Sequence, residues 1–175
     1  MATISEAIEL LKAASIAEPQ VMPPPTKEQV AEAEAELGIS LPASFKTFLQ
    51  EAGAYALPYW EVYWVGDEAL GPRHIVEANR CEHHEVNSPL PDFLITFHNN
   101  GMGDQECFDT RHPDPSGEYP IVFWDHELSP EENLKNLEPL APSFATWLQQ
   151  EAQQRLDEDV PPEDAPPKKW WQFWK

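Results

Sequence analysis

One hundred and seventy-five residues, 41% of them hydrophobic and 11% aromatic, are enough for one domain with a real core and some additional chain. Eleven Lys and Arg against thirty-one Asp and Glu leave a net charge of −20, which repels phosphate backbones and anionic lipid and so disfavours nucleic-acid binding. No run of eighteen apolar residues occurs, no basic n-region precedes an apolar stretch, and two cysteines make no disulfide framework, so the chain reads as cytoplasmic.

The acidity belongs to the middle of the chain: residues 26–150 hold six bases and twenty-two acids, a net of −16. Thr3 to Ala17 reads as an amphipathic helix, with capping-box spacing between Thr3 and Glu6 and a face of Ile4, Ala7, Ile8 and Leu11. Met22-Pro23-Pro24-Pro25 closes it as a stiff link, so residues 1–25 are set apart as helix and hinge. A second helix starts at Thr26 with a box completed by Gln29, presents Val30, Ala33 and Leu37, and ends at Gly38. Pro42 opens a third, with Phe45, Phe48, Leu49 and Ala52 on its face and Gly53 as its stop.

Tyr59 to Val65 is aromatic and β-branched and predicts a strand. Alternation would bury Trp60, Val62 and Trp64 and turn Tyr59, Glu61 and Tyr63 outward, although the opposite assignment fits the pattern too. His74 to Glu85 predicts a helix with Ile75, Ala78 and Cys81 inward. Phe93 to Phe97 and Gln105 to Phe108 predict a hairpin turning at 98–101, and Tyr119 to Trp124 a further strand. A last helix runs from Pro142 through Gln153, with Phe144, Trp147 and Leu148 inward. This order predicts an α+β fold, a mainly antiparallel sheet with helices packed around it, over residues 26–156. Residues 157–169, rich in Pro and acids, predict a disordered linker before the aromatic peptide 170–175.

Candidate chemistry is sparse. In Cys81-Glu82-His83-His84-Glu85, neighbouring residues on a helix point about 100° apart, so only Cys81 with His84 or Glu85 can share an ion. His98, Cys107 or His112 would have to complete such a set, and an exposed helix face with one packed Cys is the simpler reading. Asn99-Asn100-Gly101-Met102-Gly103-Asp104 is flanked by strands, lacks the third glycine of a dinucleotide fingerprint, and reads as a turn requiring positive φ. With no nucleophile elbow and no Walker loop, neither a catalytic residue, a metal nor a cofactor is expected.

Several strings resemble the SUKH superfamily (the Smi/Knr-type domain). Leu37-Gly38-Ile39-Ser40-Leu41-Pro42 followed by Phe45-Lys46-Thr47-Phe48-Leu49 and Gly53 is similar to its opening G-x-x-L-P turn and F-L helix. Gly101-Met102-Gly103-Asp104 with Cys107-Phe108-Asp109 resembles its central hairpin, and Tyr119 to Glu127 the strand that follows. Phe144-Ala145-Thr146-Trp147-Leu148 is similar to its final helix, so the resemblance spans residues 26–150. It implies an α+β domain used for protein binding; bacterial members are typically immunity proteins against toxins, many of them nucleases or deaminases, and fungal members act in cell-wall synthesis signalling.

The expectation is therefore a non-catalytic, cytoplasmic immunity protein that binds a basic, nuclease-type toxin domain. An intracellular scaffold or regulator is the alternative, and a metal-dependent enzyme stands third. Expected partner-binding residues are Tyr59, Glu61, Tyr63, Asp104, Asp125 and Glu127. Trp170, Trp171, Phe173 and Trp174 form a docking peptide for which protein contact, in cis or in trans, is favoured over a membrane.

Overall fold

The computed structural model describes residues 3–14, 23–52, 56–57, 60–67 and 73–159. Among these residues, six helices and six strands follow in the order α1 (Ile4–Ala14), α2 (Lys27–Leu37), α3 (Ala43–Glu51), β1 (Ala56–Leu57), β2 (Trp60–Val62), α4 (Ile75–His84), β3 (Leu94–Asn99), β4 (Gln105–Asp109), β5 (Ile121–Trp124), α5 (Pro130–Lys135), β6 (Pro139–Ala141) and α6 (Phe144–Asp159). The strands form one sheet in chain order, and every neighbouring pair is antiparallel. The fold is α+β.

Local chemistry explains where the helices begin. Thr26 and Gln29 exchange side-chain and backbone hydrogen bonds as a complete capping box, and Thr3 and Glu6 do the same ahead of α1. The first turn of α3 has no cap of its own. Glu118, far along the chain, supplies one: its carboxylate accepts from Ser44 N at 2.9 Å and Ser44 Oγ at 2.5 Å.

In-register triplets divide the sheet into two faces. Ile95, Phe108 and Ile121 lie against the helices, in a core that takes in residues from all helices except α5. Phe45 of α3 sits at its centre, with ring centroids 5.4 Å from Phe108 and 5.0 Å from Phe144 of α6, both edge-on. Leu94, Cys107, Val122 and Trp124 form a smaller cluster on the opposite face, beneath the chain at Ser88–Leu90, where Trp124 Nε1 donates to Ser88 O. In β3 the extra residue Phe97 makes a bulge, so Phe97 and His98 both face Trp147 of α6, at 4.8 and 5.2 Å between ring centroids.

β2 pairs with β3 at His98 and Asn99, and just beyond it Tyr63 N donates to Phe97 O at 2.8 Å. Nearer its start, the open edge of β3 is closed by a side chain. Asn79 of α4, buried, donates from Nδ2 to Thr96 O at 2.9 Å and accepts at Oδ1 from Thr96 N at 2.9 Å, so its amide replaces a peptide group of the missing strand.

Several sequence expectations change here. α1 is no detachable piece: Ala7, Ile8 and Leu11 lie in the main core and the helix packs along α6, because an apolar face of that width has to be covered. Residues 157–159, expected to begin a disordered linker, are the last of α6. Residues 160–175 fall outside the described residues. α5 and β6 are elements that periodicity did not flag; α5 is announced only by Ser129-Pro130-Glu131-Glu132, another capping box with Pro in its first turn.

Replacing Asn79 by Ala would leave the Thr96 N–H and C=O buried without partners. A loss of about 1–3 kcal/mol in urea unfolding is expected, with Asn79→Asp also destabilised because it lacks the donor.

Candidate functional site

The six expected partner-binding residues do not come together as one patch. Tyr59 and the side chain of Glu61 lie outside the described residues. Tyr63 is buried instead of facing out, and its hydroxyl donates to Gln105 Oε1 at 3.2 Å. The alternation rule fails because residues 62–65 are all in the main core: a segment covered on both sides has no outward face.

Asp104, Asp125 and Glu127 do converge, at the end of the sheet where the β3–β4 hairpin turns. Two asparagines shape this turn. Asn99 Oδ1 accepts from Gly101 N, and Asn100 Oδ1 accepts from Met102 N and Asp104 N, while Asn100 Nδ2 donates to Asp104 Oδ2 at 2.7 Å. Gly101 and Gly103 have φ of 79° and 109°, and a Cβ on Gly103 would lie 3.0 Å from the His126 ring. That close approach lets the loop after β5 fold onto the hairpin, where Asp104 Oδ1 accepts from His126 Nδ1 at 2.8 Å and from His126 N at 3.3 Å. From the other side, Asn133 of α5, itself buried, brackets the Asp125 backbone: its Oδ1 accepts from Asp125 N and its Nδ2 donates to Asp125 O. Asp125 Oδ1 in turn accepts from Glu127 N at 2.8 Å.

The result is a carboxylate end to the sheet, with Asp104 and Asp125 half-buried, Glu127 exposed, and Met102 75% exposed at the tip. Burial works to raise the Asp104 carboxyl, but hydrogen bonds from His126 and Asn100 prevail and hold it below the usual value. His126 moves the other way, raised by its hydrogen bond to Asp104 against some desolvation, with further help from the charges of Asp104, Glu127 and Asp125. Half-buried Glu82 of α4 also feels His126: burial raises its carboxyl and the imidazolium opposes that.

Among the described residues, Asp104, Asp125 and His126 form a group of three ligand-type side chains whose donor atoms lie within 4.8 Å of one another. In this geometry the His126 nitrogen that faces the group is committed to Asp104, which makes it an ion-pair partner and not a third ligand. Cys81 and His84 are not in that group. Neither thiol is poised for attack, since burial pushes both Cys81 and Cys107 above the usual value. Sequence reasoning passed over His126 and Asn133; the only signal for them was Asp125-His126-Glu127 running into the Ser129 capping box.

The family model SUKH_5, described as SMI1-KNR4 cell-wall, matches residues 4–153. The chain belongs to this family, a branch of the SUKH superfamily, and the match begins at α1, which places the first helix inside the domain. A search of the curated proteins finds no match. Among the described residues, no helix is long and apolar enough to cross a membrane.

Two outcomes follow from this geometry. The stabilisation from His126 is present below the ordinary histidine pKa of about 6.5 and is lost as pH rises through its raised value; that from Asp104 is present above about 3.8 and is lost as pH falls through its lowered value. An NMR titration should therefore place the His126 midpoint above about 6.5, and Asp104→Asn should bring it down. Gly103→Val should cost about 1–3 kcal/mol, from the positive φ together with displacement of His126, and thermal melts would read this directly.

Proposed function

We propose that this SUKH domain is a non-catalytic binding module that acts in the cytoplasm as an immunity protein, engaging a basic, nuclease-type toxin domain through the carboxylate end of its sheet. One observation carries the reading. Of the six bases in residues 26–150, Lys46, Arg80 and Arg111 are engaged by Glu34, Glu77 and Asp109 of the same domain, so the charge turned outward is an excess of carboxylate. A nuclease has to be basic where it holds phosphate, and a surface of carboxylates competes for that site and speeds the encounter. Asp104, Asp125 and Glu127 offer it beside an exposed apolar anchor, Met102.

The family description, which names the cell wall, favours a second reading: an intracellular scaffold or regulator with no toxin partner. Co-expression with basic, nuclease-type toxin domains separates the two, since an immunity protein restores growth against its cognate toxin and a scaffold restores it against none. For the complex itself, affinity should fall between about 10 and 150 mM salt, and Glu127→Lys should slow association several-fold at unchanged melting temperature. A cognate partner that is acidic, or binding indifferent to salt, would overturn the charge argument.

A further inference from the structure

A groove runs between α2 and α4, made of two clefts of about 470 and 390 Å³ that share Glu36 and Val76. Ala33, Leu37 and Val76 form the apolar part of its floor, beside His74 and His83; exposed Glu32 and Glu36 stand on one rim, and half-buried Glu77, paired with Arg80, stands opposite. Concavities of this size accept aromatic side chains, and a rim of this sign selects cations beside them.

We propose that the occupant is the C-terminal segment of the same chain, Lys168-Lys169-Trp170-Trp171-Gln172-Phe173-Trp174-Lys175, with its aromatic rings on the groove floor and its lysines against Glu32 and Glu36, close to Glu77. Three arguments support this occupant. The segment is the sole stretch of the sequence that joins several lysines to several aromatics, the complement of an acidic rim over an apolar floor. α6 ends at Asp159, and the eight residues 160–167 ahead of the segment can span roughly 26 Å when extended, against a radius of gyration of about 15 Å for a domain of this size, so the segment can reach well beyond the end of α6 over the surface of the domain. The intervening Pro161-Pro162-Glu163-Asp164-Ala165-Pro166-Pro167 has the composition of a spacer, and its acids are repelled by the rim, which directs contact to Lys168 and beyond. Tethering gives the peptide an effective concentration in the millimolar range, so weak contacts suffice for occupancy.

Other surfaces fit this peptide less well: the concavity on α1, lined by Ser5, Glu6, Glu9, Leu10 and Ala13, has both of its carboxylates engaged, Glu6 by Thr3 and Glu9 by Lys12. The concavity on α6 is lined by Gln149, Gln150, Gln153, Gln154 and Asp157 and offers a single carboxylate. At the hairpin end, Asp104 and Asp125 already accept hydrogen bonds from their own loops.

Zero-length carbodiimide cross-linking of the full chain, followed by peptide mass spectrometry, tests the proposal. Links within one chain from Lys168, Lys169 or Lys175 to Glu32, Glu36 or Glu77 are expected. In the full-length Glu32→Lys/Glu36→Lys variant, whose altered side chains are exposed, the links to Glu77 should disappear. Tryptophan emission of that variant should shift to the red and acrylamide quenching should rise, at unchanged melting temperature. Links only between chains, links mainly to Asp104, Asp125 or Glu127, or no links at all would each overturn the proposal. So would cross-links and emission that survive in the variant, or a blue shift that requires phosphatidylcholine or phosphatidylglycerol vesicles.

Discussion

The open edge of β3 is the constraint on which much of the architecture turns. A sheet this small cannot leave backbone groups buried and unpaired, yet the chain of β2 leaves β3 after the bond from Tyr63 N to Phe97 O, short of Thr96. The amide of Asn79 completes the ladder at Thr96, and in doing so fixes the depth and rotation of α4 against the sheet. Its Nδ2 also donates to Ile75 O one turn back, so the side chain is locked from both sides. With α4 so placed, α2 packs beside it, Ala33 joins Ile75 and Ala78 in the main core, and the groove between the two helices follows. Glu82, one turn on from Ala78, is carried toward the hairpin end, where it feels the charge of His126.

The central bulge contributes in a similar way. By placing Phe97 and His98 on the same side, it sets a buried imidazole next to Trp147, where Nδ1 meets Glu106 Oε2 at 2.9 Å. A buried contact between an imidazole and a carboxylate tolerates few alternative arrangements, so it pins the register of β3 and β4. Phe45 and Phe144 then pack edge-on against a sheet whose pairing is already decided.

Sequence reasoning read the elements that announce themselves locally. The Thr26–Gln29 box, the Gly38 end and the Phe45/Phe48/Leu49 face of α3 are short-range signals, and they place α2 and α3 within a residue or two. The β3–β4 hairpin was legible for the same reason, since the asparagines and glycines at 99–103 can do little but turn. Tyr63 was misplaced because periodicity reports one covered face, and residues 62–65 have two. α1 was set apart because a proline run suggests a boundary, while its partner α6 lies at the far end of the chain and leaves no local trace. The site was half legible. Asp104, Asp125 and Glu127 could be named as acids, but what joins them, the His126 contact over Gly103 and the Asn133 bracket, depends on loops that are distant in sequence.

The last strand has a consequence for how this protein coexists with copies of itself. β6 is three residues long, shifts register against β5, and begins with Pro139, which has no N–H to offer a neighbour. Leu140 is exposed there, so a longer and more regular strand would present a greasy template for edge-to-edge stacking. Shortness, irregularity and proline together leave the border of the sheet sterile, and −20 of charge keeps neighbouring molecules at a distance. At this edge a neighbouring molecule finds no regular ladder to extend, so the charge and the chain geometry act in the same direction against self-association.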